Sequence, residues 1–239
     1  MTLKKVIGII CVLIAFCLLV IPPLVSNIKI EQNEKEKDNL LEEINDLINS
    51  EVSNKPSTSD TSNNTTGNVP ETLLPIVDTT TVPDTSTDSP QPTEPEPYKP
   101  YRTSTNEEVD GILYIPCIDL ELPILTNVTD KGLNKTCARV TNTCAPGCNN
   151  YCIMGHVMKK YGYVFNRLHE VKIGDTISVK ARDYTYNYVV TEIFITEGLD
   201  TNILEDVEGK QLITLFCCSY QVNNGRLVVR GELKSINYN

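Results

Sequence analysis

The chain has 239 residues, 40% of them hydrophobic, which is room for one substantial core with accessory segments. Its formal net charge of −10 excludes a nucleic-acid surface, which needs a basic field. That charge is uneven: residues 56–98 carry seven acidic and no basic residues, whereas 106–239 carry sixteen acidic and thirteen basic.

Residues 6–25, VIGIICVLIAFCLLVIPPLV, are twenty consecutive uncharged positions. At ~1.5 Å per residue they suffice to cross a hydrocarbon core of ~30 Å. No small-x-small cleavage site follows, so an uncleaved anchor is expected over 1–26 rather than a signal peptide. Lys4 and Lys5 precede the apolar run and predict a single pass with the amino terminus cytoplasmic and the rest extracellular. Pro22 and Pro23 shorten the regular helix.

Over 27–50 the residues Leu40, Leu41, Ile44, Leu47 and Ile48 recur at helical spacing, which predicts an amphipathic stalk helix. A solvated stalk is the simplest expectation; pairing with a second copy or lying on a membrane are the other uses of such a stripe. Residues 51–105 are dominated by Ser, Thr, Pro, Asn and acidic residues and offer almost nothing to a core. A disordered spacer is expected there, with a span of roughly 40 Å as a flexible coil.

The folded part is expected over 106–239, an ordinary single-domain size. Strand-type runs lie at 112–115, 122–125, 152–155, 176–181, 184–196, 212–216 and 227–233. Alternation of Tyr with polar residues over 184–188 marks a sheet with one wet face. Short helices are expected at 164–171 and 202–207, with a third at 133–140. Many short strands with turns between them predict a mainly β fold, a closed or nearly closed barrel with a few short helices.

The densest chemistry lies in 212–230, LITLFCCSYQVNNGRLVVR. A strand ends in Cys217 and Cys218, a polar loop with Asn223, Asn224 and Gly225 follows, and Arg226 opens a second apolar run. A thiol at one strand exit and a guanidinium at the next strand entrance suit nucleophilic catalysis, though buried cysteines in a plain hairpin would read the same way. The chain has two histidines. His156 follows the apolar run 152–155 and so sits at a strand exit, whereas His169 falls in the expected helix on an ordinary mixed surface. Together a Cys, a His and an Arg at strand ends supply a nucleophile, a proton carrier and an oxyanion partner.

These residues carry a resemblance. Thr214-Leu215-Phe216-Cys217-Cys218 followed by Arg226 is similar to the TLxTC…R signature of sortases, the membrane-anchored cysteine transpeptidases of Gram-positive bacteria. Gly155-His156 resembles the family's histidine motif, Gly111 to Pro116 its first strand, and Lys172-Ile173-Gly174-Asp175 its KxGD turn. The resemblance covers 106–239. It implies that Cys218 is the nucleophile, His156 the general acid and base, and Arg226 the oxyanion or substrate-positioning residue. It also places Thr214, Leu215 and Cys217 at the substrate, and makes Arg230 structural. One departure stands out: Cys217 replaces the usual Thr before the nucleophile, and a thiol is a weaker hydrogen-bond partner.

The resemblance further implies cleavage of an LPxTG-like sorting signal on secreted surface proteins and transfer to an amine, such as a cell-wall precursor or a pilin lysine, with no cofactor. A wall-anchoring or class D-like role is the expectation. Pilus assembly is the alternative, although the Asp-Pro-aromatic lid common in that class is not found. An inactive peptide-binding module would share the fold. Cys144, Cys148, Cys152 and His156 recur every four residues, but Pro146 and Gly147 break the helix such a metal site would need. Disulfides among Cys137, Cys144, Cys148 and Cys152 are chemically possible, with no connectivity readable.

Overall fold

The computed structural model describes residues 3–53 and 98–239 apart from 159, 198 and 199, with side chains given from residue 21 to 51 in the first segment. The expected spacer falls mostly on residues outside this set. So do most side chains of the expected anchor, and among the described residues no helix is long and apolar enough to cross a membrane.

Helix α1 (Leu3–Ser53) is continuous through Pro22 and Pro23. After it come β1 (Tyr101–Arg102), β2 (Glu108–Ile115), β3 (Leu120–Leu125), α2 (Asp130–Leu133), β4 (Cys137–Arg139) and β5 (Asn150–Gly155). The chain ends with β6 (Thr176–Ala181), β7 (Tyr184–Thr196), β8 (Leu212–Cys218) and β9 (Arg226–Tyr238). Their order is β1-β2-β3-β4-β5-β8-β9-β7-β6, and β6 pairs back to β2, with Leu113 opposite Val179. The eight strands β2 to β9 thus form a closed barrel. Closure brings backbones into near contact at Gly111, where a Cβ would stand 2.2 Å from the Lys180 carbonyl oxygen, beside a bulge in β2.

Most strands pair antiparallel, but β3–β4 and β5–β8 are parallel. Fully buried side chains such as Leu113, Ile115, Leu122, Ile124, Ile153 and Tyr188 fill the core. The alternation expected over 184–188 does not come out as burial: Tyr184 is exposed, 185–187 are half-buried and Tyr188 is buried, a gradient along the strand.

The expected helices come out differently. Residues 168–170 and 201–204 form single 3-10 turns. Over 133–140 the helix stops at Leu133, and Cys137 and Ala138 enter β4, because both are fully buried between β3 and β5. Tertiary burial overrides local propensity there.

The folded unit also begins before Asn106. Tyr101 pairs with Val109, is buried, and lies under the Arg182 guanidinium at 4.7 Å. Most of the stalk stripe faces protein rather than solvent. Leu40, Ile44 and Ile48 are buried against Tyr101, Val109, Ile112, Leu125, Leu133 and Ala138. Each such burial contributes roughly 1.5–3 kcal/mol relative to exposure. Polar ties flank the stripe: Ser104 N donates to Glu43 Oε1 at 2.5 Å, and Glu34 and Glu51 pair with Lys160 and Arg182.

Candidate active site

The parallel register of β5 and β8 runs from Asn150 opposite Leu212 to Met154 opposite Phe216. Continued by two residues, it sets His156 opposite Cys218. Antiparallel pairing of β8 with β9 then sets Cys218 opposite Arg226. Neighbouring strands lie ~4.8 Å apart and register partners share a face of the sheet. Backbone topology therefore gathers His156, Cys218 and Arg226 at one end of the barrel.

Each position has a local cause. The residue before His156 is Gly155, and a Cβ there would stand 2.5 Å from the Phe165 ring. That close approach lets Phe165 cover the strand end while its amide donates to the His156 carbonyl at 3.2 Å. Cys218 is the last residue of β8 and its single exposed member. Behind it the loop 219–225 is pinned: Ser219 N donates to the Gly225 carbonyl at 2.9 Å, and Ser219 Oγ accepts from the amides of Gln221 and Val222. The Arg226 guanidinium donates through Nη1 to the carbonyls of Asn224 and Gly225, at 3.2 and 3.1 Å. This holds its planar fork at the loop base, next to the thiol's strand position.

The two adjacent thiols differ in environment. Cys217 is buried, and desolvation pushes its pKa up to about 12, with the neighbouring Cys218 adding to the rise and Arg226 opposing it. It stays protonated at neutral pH. A thiol must ionise to attack, so the exposed Cys218 is the one suited to nucleophilic chemistry.

A cleft of about 440 Å³ opens on this end. It is lined by Ile193, Phe194 and Ile195 of β7, Leu227 of β9, Cys217 and Cys218, together with Val157, Phe165, Asn166, His169 and residues 219–221. Of the three expected catalytic residues Cys218 lines it, while His156 and Arg226 stand outside its lining. His169 is exposed, as expected, and it also lines the cleft, its Nδ1 donating to the Asn166 carbonyl at 3.1 Å and its ring meeting Tyr220 edge-on. Asn166 and Tyr220 were not singled out from sequence, because their importance depends on contacts across more than fifty residues.

Thr214 and Leu215 lie beneath the cleft rather than on its wall, both fully buried. The Thr214 hydroxyl donates to Asn150 Oδ1 at 2.7 Å and accepts from Arg230 Nε at 3.2 Å. Asn150 Nδ2 in turn donates to the carbonyls of Ile203 and Glu205 at 3.0 and 2.9 Å. This network locks β5, β8 and β9 together one layer below the reacting ends.

Cys144 shares a side-chain hydrogen bond with Cys148 and lies near Cys152, which is buried with Ile203, Phe216 and Val228. Among the described residues no His, Cys, Asp or Glu cluster is arranged to hold a metal ion. Cys137, Cys144, Cys148 and Cys152 are free thiols.

The Sortase domain family model matches residues 113–234, which is half of the chain. The chain is 36% identical over 128 residues to Sortase A of Bacillus anthracis, covering 53% of this chain and 60% of that protein. It is 26% identical over 136 residues to Sortase A of Streptococcus agalactiae serotype III, covering 55% of each. The chain thus spans less than two thirds of the length of these relatives. Among solved structures, sortase C of Streptococcus pneumoniae, studied for catalysis and pilin substrate specificity, superposes with a TM-score of 0.51 at 27% identity, covering 55% of this chain and 70% of that one.

Proposed function

The chain belongs to the sortase family, and from that premise we propose that it is a cysteine transpeptidase acting on an LPxTG-like sorting signal of secreted surface proteins. The observation that supports this reading is the register that pairs Cys218 with Arg226 and, continued two residues past β5, brings His156 opposite Cys218, which itself lines an apolar cleft.

In this reading the Cys218 thiolate attacks the carbonyl carbon of the scissile peptide bond. The carbonyl oxygen takes up the electron pair, and the Arg226 guanidinium stabilises the resulting oxyanion. The His156 imidazolium gives its proton to the leaving amine, the C–N bond breaks, and a thioester remains on Sγ. An incoming amine then attacks the thioester, His156 takes its proton, and the thiolate leaves. Ile193, Phe194, Ile195 and Leu227 bury the apolar part of the signal and keep water from the thioester.

The same reading places the catalytic domain outside the cell, held by residues 1–26 as a membrane anchor, with the barrel docked on residues 40–48 of the same helix. The acceptor is a cell-wall precursor amine. Pilin lysine is the second reading, favoured by the likeness to the pneumococcal sortase C. The test is to incubate the purified protein with an LPxTG-containing peptide library and a small amine, and to follow products by mass spectrometry. Joined peptide–amine products support the reading, and an unchanged library refutes it.

A further inference from the structure

The segments that follow His156 and Cys218 meet at one buried side chain. Asn166 is 9% exposed. Its Nδ2 donates to the Met158 carbonyl at 2.6 Å, two residues past His156, and to Tyr220 Oη at 3.2 Å, two residues past Cys218. Its Oδ1 accepts from Gly162 N at 3.3 Å, and its backbone carbonyl accepts from His169 Nδ1 at 3.1 Å. Both amide hydrogens and the carbonyl oxygen of the side chain are therefore used. Only an amide of this length can do so here: Asp has no hydrogen to donate, and Ser or Thr has one.

We propose that Asn166 is a positioning residue that ties the His156 segment to the Cys218 segment and so sets the separation of imidazole and thiol. The inference rests on the reading of those two as the reacting pair. Tyr220 shows what the tie accomplishes. It is 68% exposed, on a loop that would otherwise be held mainly by its own turn, yet its hydroxyl is fixed by a buried amide and its ring stands edge-on to His169, 6.4 Å between centroids. The loop carrying Tyr220 leaves Cys218 directly, so freedom there is transmitted to the thiol. On the other side, Phe165 N holds the His156 carbonyl while Asn166 holds that of Met158. The two ends of the catalytic pair are thereby referenced to one rigid turn, and small errors in such placement are costly in rate.

The test compares Asn166→Ala, Asn166→Asp and Tyr220→Phe in the full chain. Tyr220→Phe removes a single hydroxyl from an exposed ring and leaves the fold intact even where the Asn166 variants unfold. Two readouts are used: kcat and KM for peptide-to-amine transfer, and the pH profile of Cys218 alkylation by iodoacetamide, mapped by mass spectrometry. The tie predicts a kcat loss of roughly 10- to 100-fold in the Asn166 variants with KM changing far less. Tyr220→Phe gives a smaller loss of the same kind, and the Asn166→Ala/Tyr220→Phe double variant is no worse than Asn166→Ala alone, because both break one bridge. The alkylation profile changes in Asn166→Ala, Tyr220→Phe and His156→Ala alike. A loss in KM alone, additive effects, or an alkylation profile identical to wild type in Tyr220→Phe overturns the proposal. If wild type transfers no peptide but the alkylation profiles still change, the transpeptidase reading fails and the tie stands.

Discussion

Thr214 and Arg230 face each other across β8 and β9, with the arginine Nε donating to the threonine hydroxyl at 3.2 Å while that hydroxyl donates onward to Asn150. The threonine of the signature motif is therefore engaged on both its donor and its acceptor side, inside the barrel, below the cleft.

Thr214→Val is expected to keep the shape and lose both bonds, leaving Asn150 Oδ1 and Arg230 Nε short of a partner. The cost is about 1–3 kcal/mol of stability, read as a lower melting temperature. KM for the peptide should hold, because Thr214 is fully buried. A raised KM with unchanged melting would return Thr214 to the substrate surface.

Gly155→Ala places a methyl against the Phe165 ring. Overpacking of this kind costs roughly 1–3 kcal/mol and here shifts the segment that follows His156. Transfer activity should fall while circular dichroism stays that of the barrel, and Phe165→Leu in the same background should recover part of the activity. Recovery of none would mean that the collision is relieved elsewhere.

Ile44→Ala should cost about 2–5 kcal/mol at the α1–barrel contact, since the residue is fully buried between the helix and the first strands. Hydrogen exchange over 40–48 would rise sharply. Unchanged protection would show that α1 does not depend on this stripe in solution.

Stability should decline in alkali for a definable reason. Burial pushes the thiols of Cys137, Cys152 and Cys217 up to about 12 from an ordinary 9.0. The folded chain thus holds these protons more tightly than the unfolded chain. The contribution is complete below about pH 9 and is lost as pH rises from there toward 12. Melting temperature should fall across that window, less steeply in Cys152→Ala. A flat profile would place these thiols in contact with water.

Much of the barrel was legible because its strands obey a local rule. The runs 176–181 and 184–196 coincide with β6 and β7, since their pattern is made by strand neighbours on both sides. Cys218 and Arg226 were legible because strand ends and turn residues flank them in sequence. What local pattern could not reveal was set from a distance. Residues 164–171 look helical, but Asn166 spends its side chain on Met158 and Gly162, and Val164 sits at a φ of +50° that no helix admits. β4 is three residues long and owes its existence to burial between β3 and β5. The place of His169 beside Tyr220 joins residues fifty-one positions apart, which no local pattern signals.

In the proposed transfer the exposed Cys218, and not its buried neighbour, carries the acyl group. The most direct measurement is to quench the protein with an LPxTG-containing peptide before the amine is added and to locate the thioester by peptide mapping. An adduct on Cys218 is expected in wild type and in Cys217→Ala, and none in Cys218→Ala. An adduct on Cys217, or one that survives Cys218→Ala, would contradict it.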